Sequence, residues 1–288
     1  MDPTTDPEGF KAATRAQWDR CAAGWDAHGP EIRLWLREAT DRMLDEAGVA
    51  PGAAVLDVAA GAGDQTLDAA ARVGPTGRVL ATDLSPALVE LAAAAARRAG
   101  HANVSARVSD AESLDLEPGS FDAAVCRLGL MLMPAPLRAL RGIRAALRPG
   151  GRACAVVFGA PRGNPCIGAV VSTALRRAGL PPPDPAAPGT LSSLGAPGRL
   201  AALFGEAGFD DVRAGAIDAP FRLPSARHYL DFVRTSASPV RRILAGLAPA
   251  EAEAAWAEME ERLRAFETAD GWVGPNELAW ASGRRPVA

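Results

Sequence analysis

Lysine is almost missing from this chain: Lys11 is the only one among 31 basic residues, so nearly all positive charge is carried by arginine. Charge of one sign is missing too. The net charge is −3, which leaves no global field to recruit nucleic acid or an anionic membrane surface, and no nucleic-acid partner is expected. Cys21, Cys126, Cys154 and Cys166 show neither the C-x-x-C spacing of a zinc site nor the density of a disulfide scaffold. No metal site follows, and a reducing cytoplasm is the expected setting. No apolar run reaches the length of a membrane span, and Met1-Asp2-Pro3-Thr4-Thr5-Asp6 has no apolar leader core, so no membrane span is expected. Imidazole chemistry has only His28, His101 and His228 to draw on.

What is present is apolar and periodic. A hydrophobic content of 48% over 288 residues is ample for a buried core. Residues 8–48 read as helical, with Trp18, Trp25 and Trp35 among charges and breaks near Gly24 and Gly29-Pro30. After Pro51-Gly52, short apolar runs alternate with helical stretches. Strands are predicted at 53–58, 78–82, 103–108, 121–127 and 151–158, and helices at 64–73, 86–99 and 135–147. Strands that are nearly all apolar, separated by helices, imply a parallel sheet covered on both faces. A helix near 164–179 leads to Pro181-Pro182-Pro183-Asp184-Pro185, a stiff connection. A helix at 197–207, a strand at 212–217, a helical insertion at about 225–268 and a last strand at 277–282 complete the pass. Arg138, Arg141, Arg144, Arg148 and Arg152 recur at helical steps and read as a solvated helix face.

The predicted organisation is a helical lid (1–50), a Rossmann-like core (51–160), a lid helix with a proline-rich loop (161–196), a continuation of the core (197–223), a helical acceptor-side insertion (224–270), and a final strand and tail (271–288). The fold class is α/β: a seven-stranded, mostly parallel sheet with helices on both faces.

The chemistry is carried by acids at strand ends. Val55-Leu56-Asp57-Val58-Ala59-Ala60-Gly61-Ala62-Gly63-Asp64-Gln65-Thr66 ends an apolar strand on an acid, turns through glycines and opens a helix. A carboxylate at that turn repels a pyrophosphate but tolerates a ligand carrying ammonium and sulfonium groups. This leaves a nicotinamide dinucleotide as the weaker reading, since Gly61-x-Gly63-x-x-Thr66 also lacks the third glycine. Asp83 and the Asp110-Ala111-Glu112 turn follow at the next two strand ends, so three acids converge on one crevice. Gly61 and Gly63 allow close backbone approach, and the amides around Asp64 to Thr66 can receive a carboxylate. Asp83 is placed to accept both hydroxyls of a ribose, and Asp110 an adenine amine. The plain alternative for any one acid is a turn former or helix cap, as Asp83-Leu84-Ser85-Pro86 illustrates.

These stretches, together with Ser120-Phe121-Asp122-Ala123-Ala124-Val125-Cys126-Arg127-Leu128-Gly129-Leu130 and Leu147-Arg148-Pro149-Gly150-Gly151, resemble the class I S-adenosylmethionine (SAM)-dependent methyltransferases. They look close to the branch that includes the ubiquinone/menaquinone-biosynthesis C-methyltransferases. The resemblance is close over residues 50–160 and returns at 207–212. It implies a sheet whose last strand is antiparallel, SAM as cofactor with S-adenosylhomocysteine as product, and methyl transfer to a small acceptor. Carried onto this chain, it implies cofactor contacts from Asp57, Ala59, Gly61, Gly63, Gln65 and Thr66 at the methionine end. Asp83 and Leu84 would serve the ribose, Asp110, Ala111 and Glu112 the adenine, and Arg127 the mouth of the fourth strand. Ala59 stands where the commonest pattern has glycine, and no Asn-Pro-Pro-Tyr follows the fourth strand, which argues against DNA base amines.

For the acceptor, Trp25, Met131, Met133 and Tyr229 are the candidate contacts, while Trp35 is assigned to packing. His28 and His228 are the candidate general bases, each with a structural role as the alternative. The expected activity is methylation of O, N or C of a small, largely apolar acceptor such as a quinone or specialised metabolite. The alternative is a methyltransferase fold that binds SAM or its product and acts as a non-methylating cyclase, pericyclase or regulatory module. A homodimer is left open.

Overall fold

A computed structural model describes residues 6–236 and 238–287. Three helices come first: α1 (Pro7–Ala27), α2 (Gly29–Trp35) and α3 (Arg37–Glu46). The alternating core follows as β1 (Ala54–Val58), α4 (Asp64–Val73), β2 (Arg78–Asp83), α5 (Pro86–Arg98), β3 (Val104–Val108), β4 (Phe121–Arg127), α6 (Pro136–Ala146) and β5 (Leu147–Phe158). Then come α7 (Pro165–Arg177), α8 (Arg199–Glu206), β6 (Asp210–Asp218), β7 (Phe221–Leu223), α9 (Ala226–Ser236), α10 (Ser238–Leu244) and α11 (Pro249–Leu263). Two short strands, β8 (Glu267–Thr268) and β9 (Gly271–Gly274), precede β10 (Glu277–Arg284).

Seven strands form one sheet in the order β3-β2-β1-β4-β5-β10-β6. The first five are mutually parallel, and β10 runs antiparallel between β5 and β6. All five positions of β1 are buried, which is why its sequence is apolar without alternation. From β1 the chain winds outward through β2 to β3, then returns to build β4 on the other side of β1. A switch point therefore lies above β1 and β4, where an open sheet of this kind takes its ligands. The register pairs Val58 with Thr82 and Asp83 with Val108, so the strand ends share one rim.

Several boundaries differ from the sequence reading. Gly24 lies inside α1 and does not break it; a Cβ there would meet the Thr235 carbonyl of α9 at 2.4 Å, so this glycine is a close-approach point between two helices. The break falls at His28, before Gly29-Pro30 opens α2. The arginine stripe does not form one face: α6 ends at Ala146, and Arg148 and Arg152 lie on β5, paired with Asp122 and Asp211 at 2.5 and 2.7 Å. The helical insertion read at about 225–268 ends in a short strand, β8, and is flanked by two unpredicted ones, β7 and β9, which join it in a three-stranded sheet. Trp272 of β9 is wholly buried there, stacked on Tyr229 with 4.6 Å between ring centroids. Among the described residues no helix is long and apolar enough to cross a membrane.

Candidate active site

The first turn of the site is set by backbone conformation. Ala59, Gly61 and Gly63 all have positive φ (56°, 60° and 95°), a left-handed path that glycine adopts freely and alanine only at a cost. At Gly63 a second constraint applies, because a Cβ would lie 2.9 Å from the Cα of Ala92 on α5. Gly63 is the N-cap of α4 and has no side chain to bond the first-turn amides. That helix end is left to a ligand or solvent.

Asp57 is fully buried and does not line the cavity above the rim. Its two oxygens accept from Gln65 Nε2 and Thr66 Oγ1, each at 2.6 Å. Burial pushes its pKa up to about 7, against the pull of those two bonds and of the nearby Arg127 charge. The expected direct ligand contact is therefore corrected. Asp57 and Thr66 lie behind the loop, and only Gln65, which Asp57 orients, reaches the cavity.

Asp83 does face the cavity. Its oxygens accept from Gly61 N at 3.0 Å and Ser85 N at 2.9 Å, which lock the carboxylate at the end of β2, and burial raises its pKa. A carboxylate has about four acceptor positions, so both oxygens retain capacity for hydroxyl donors. Ser85 in turn caps α5 through Leu88 N and donates to Asp19 of α1 at 2.5 Å.

At the far end of the rim, Asp110 Oδ1 accepts from Glu112 N at 2.9 Å. Lys11 Nζ, reaching across from α1, lies 2.8 Å from Asp110 Oδ2 and 2.9 Å from Glu112 Oε2. Glu112 also accepts from Ala135 N at 2.5 Å. At the opposite end Arg127 is buried, ion-paired with Asp64 and donating to Thr40 Oγ1 at 2.6 Å.

Between these ends runs a partly open cavity of about 130 Å³, whose walls carry both the rim acids and apolar side chains. It collects Trp25, Ala59, Gly61, Gln65, Asp83, Leu84, Asp110, Ala111, Glu112, Arg127 and Met133 from the sequence-predicted set. Asp57, Gly63, Thr66, Met131, Tyr229, His28 and His228 are not among its walls. Met131 is buried beneath, its sulfur taking the Phe158 amide at 3.4 Å and its carbonyl the Ser193 hydroxyl, because the short turn after β4 sends Leu132 and Met133 to the cavity instead. Tyr229 is consumed by the stack on Trp272 and an edge contact with Phe221. His228 is exposed and bonded through Nδ1 to Ser225 Oγ, and the His28 ring sits edge-on to Phe232 with Nε2 3.0 Å from Thr235 Oγ1. Trp35 packs as expected, stacked on Phe221 with its Nε1 donating to Ala219 O.

The sequence reading missed Phe10, Lys11 and Thr14 of α1, together with Leu36 and Leu128. The signal for α1 was present: Lys11, Thr14, Trp18 and Trp25 recur at steps of three, four and seven, one helix face. Among the described residues no cluster of three or more His, Cys, Asp or Glu side chains is arranged to hold a metal.

A doubly wound sheet with acids at successive strand ends around one cavity is a fold that takes a ligand at its switch point, and comparison with known proteins names the class. Residues 55–151 match the family model described as a methyltransferase domain. Nocamycin O-methyltransferase of Saccharothrix syringae is 31% identical over 94% of this chain and 98% of its own. The chain therefore belongs to the class I SAM-dependent methyltransferases, and it is an enzyme that uses SAM. A ubiquinone/menaquinone biosynthesis C-methyltransferase of Ectopseudomonas mendocina is 36% identical over 60% of this chain and 71% of its own. Among solved structures, the [4+2]-cyclase SpnF shares the fold, with a TM-score of 0.55 and 20% identity over 94% of this chain and 96% of that one.

The residues present fit this cofactor. Asp83 is a buried carboxylate with spare acceptor capacity beside an open backbone turn, and the Arg127–Asp64 pair matches the opposite charges of an amino-acid end.

Proposed function

We propose that this enzyme methylates an O, N or C atom of a small, largely apolar acceptor, a quinone-like compound or specialised metabolite. Asp83 and Leu84 hold the ribose, Asp110, Ala111 and Glu112 the adenine, and Gly61, Gln65, Asp64 and Arg127 the amino-acid end. Bound there, SAM supplies an electrophilic methyl on a sulfonium and leaves as S-adenosylhomocysteine. The observation that carries the reading is the mixed lining of one cavity. Charged groups at Asp110, Asp83 and Arg127 share it with the apolar side chains of Trp25, Leu36, Leu128, Leu132, Met133 and Pro134. Methionine and leucine there give the acceptor an adaptable surface.

No histidine is among the walls of this cavity, so catalysis rests on holding the acceptor in line and excluding water, with no dedicated imidazole base. Such a site suits an acceptor that is nucleophilic or acidic on its own. That two relatives are named a nocamycin O-methyltransferase and a ubiquinone/menaquinone biosynthesis C-methyltransferase supports the choice of class. The four thiols, all free and buried, support a reducing, cytoplasmic setting.

The test is transfer of labelled methyl from SAM into a fractionated small-molecule extract, run beside a calorimetric titration with S-adenosylhomocysteine. A labelled small apolar product is expected. Binding without any labelled product would instead favour the non-methylating alternative that the cyclase's shared fold brings to mind, and label appearing only in macromolecules would overturn the proposal.

A further inference from the structure

The amino-terminal part of α1 covers the site with no fully buried side chain, its Phe10 ring resting against Gly189. Helix α1 has buried residues only at Gln17, its midpoint, and at Cys21 and Ala22 beyond it, where Trp25 also meets Phe232 of α9. The residues it contributes to the nucleoside end of the cavity, Phe10, Lys11 and Thr14, all come from the first half. That half has one specific tether to the core rim, the Lys11 ammonium, which bridges Asp110 and Glu112 while its side chain is only 11% exposed. The next polar tie, Asp19 to Ser85, comes two turns later.

We propose that Lys11 is a positioning residue for the reaction: by gripping Asp110 and Glu112 it lays the first half of α1 over the bound nucleoside, and it sets how long the cofactor stays. The proposal rests on the assignment of the nucleoside to Asp83 and Asp110. The grip is compatible with an occupied site, because each carboxylate spends only part of its acceptor capacity on Lys11. An adenine amine and the ammonium can share Asp110. Burial alone would draw the lysine pKa down, but its bonds to the two carboxylates outweigh this and raise it, so the tether stays charged at neutral pH. Cofactor entry and exit then require these two pairs to break, with the buried second half of α1 as the fixed end.

The test is stopped-flow release of S-adenosylhomocysteine, followed by the fluorescence of Trp18 and Trp25, for the wild-type chain and for K11M and K11R. Thermal unfolding of each variant serves as a control on the fold. Release is expected to be about tenfold faster in K11M, with K11R within about threefold of wild type, the size expected for a partly buried charge-assisted tether. Raising the salt should speed release from the wild type and leave K11M nearly unmoved, a response that a merely structural role would not produce. Equal release rates in wild type and K11M, with both folded, would overturn the latch and leave the nucleoside assignment standing. Failure of the folded wild-type chain to bind S-adenosylhomocysteine at all would overturn that assignment, and the latch with it.

Discussion

The methyl of Ala59 and the Cα of Gly129 face each other across the switch point: a Cβ built on Gly129 would lie 2.3 Å from the Cβ of Ala59. The strand ends of β1 and β4 thus fit together only because one of the two positions carries no side chain. Ala59 is the departure from the common glycine pattern, and it keeps a left-handed φ of 56° in doing so. Gly129, at ordinary helical angles, is the residue that accommodates it.

Gly129→Ala should therefore destabilise the fold by about 1–3 kcal/mol through overpacking. Ala59→Gly alone should be nearly neutral, since relief of the left-handed strain offsets the added chain entropy of glycine. The double variant should recover most of the loss, because Cys126 Sγ, the next neighbour of the new methyl, is 3.3 Å away. Denaturant midpoints of the four chains in a double-mutant cycle measure the coupling, and additivity would show that the two positions do not meet.

Asp83→Ala removes an acceptor that also takes the Gly61 and Ser85 amides. Cofactor affinity should fall by about 1–3 kcal/mol, which is roughly five- to 150-fold in Kd. Calorimetry with S-adenosylhomocysteine reads this directly, and an unchanged Kd would remove Asp83 from the ribose.

Asp57 makes stability depend on pH in the sense opposite to an ordinary paired carboxylate. Its pKa is raised by burial to about 7, so the folded state holds the proton more tightly than the unfolded chain, where the group has its ordinary value of 3.8. The stabilisation is complete below about pH 4 and is lost as pH rises toward 7. The stability of the wild type relative to Asp57→Asn should thus decline across that interval and level off above it. Urea denaturation of both chains at several pH values checks the slope, and a difference that grows with pH would show Asp57 to be stabilised as the anion.

His28→Ala and His228→Ala should each keep methyl-transfer activity within about threefold, with the pH profile unmoved. A general base contributes about 100- to 10,000-fold, and neither ring is among the cavity walls. A loss of that size in either variant, rescued at higher pH, would return the histidine to the mechanism.

Much of the core was legible because its signals are local. Strand β4 lies at residues 121–127 as read, since the apolar run from Ala123 to Cys126 between turns has few alternatives. Asp83 and Asp110 could be assigned from sequence because a residue just past a parallel strand must sit on the rim whatever else the chain does. The three-stranded sheet was not legible: β8 has two residues and β9 four, too short to show a period, and their pairing with β7 is a long-range event.

By itself the sequence determined the alternation of strands and helices from β1 to β5, the turn through Gly61 and Gly63, and the acids at the strand ends, because period, glycine freedom and chain direction are properties of neighbours in the chain. Only the tertiary structure decided which of those polar groups meet the ligand cavity. Asp57 turns to Gln65 and Thr66 of α4 and is spent in the interior, while Lys11 reaches Asp110 from 99 residues away to become part of the wall. The reason is that a buried charge must find partners wherever packing provides them, and α1 lies across a surface that α5 and α9, distant in the chain, build together.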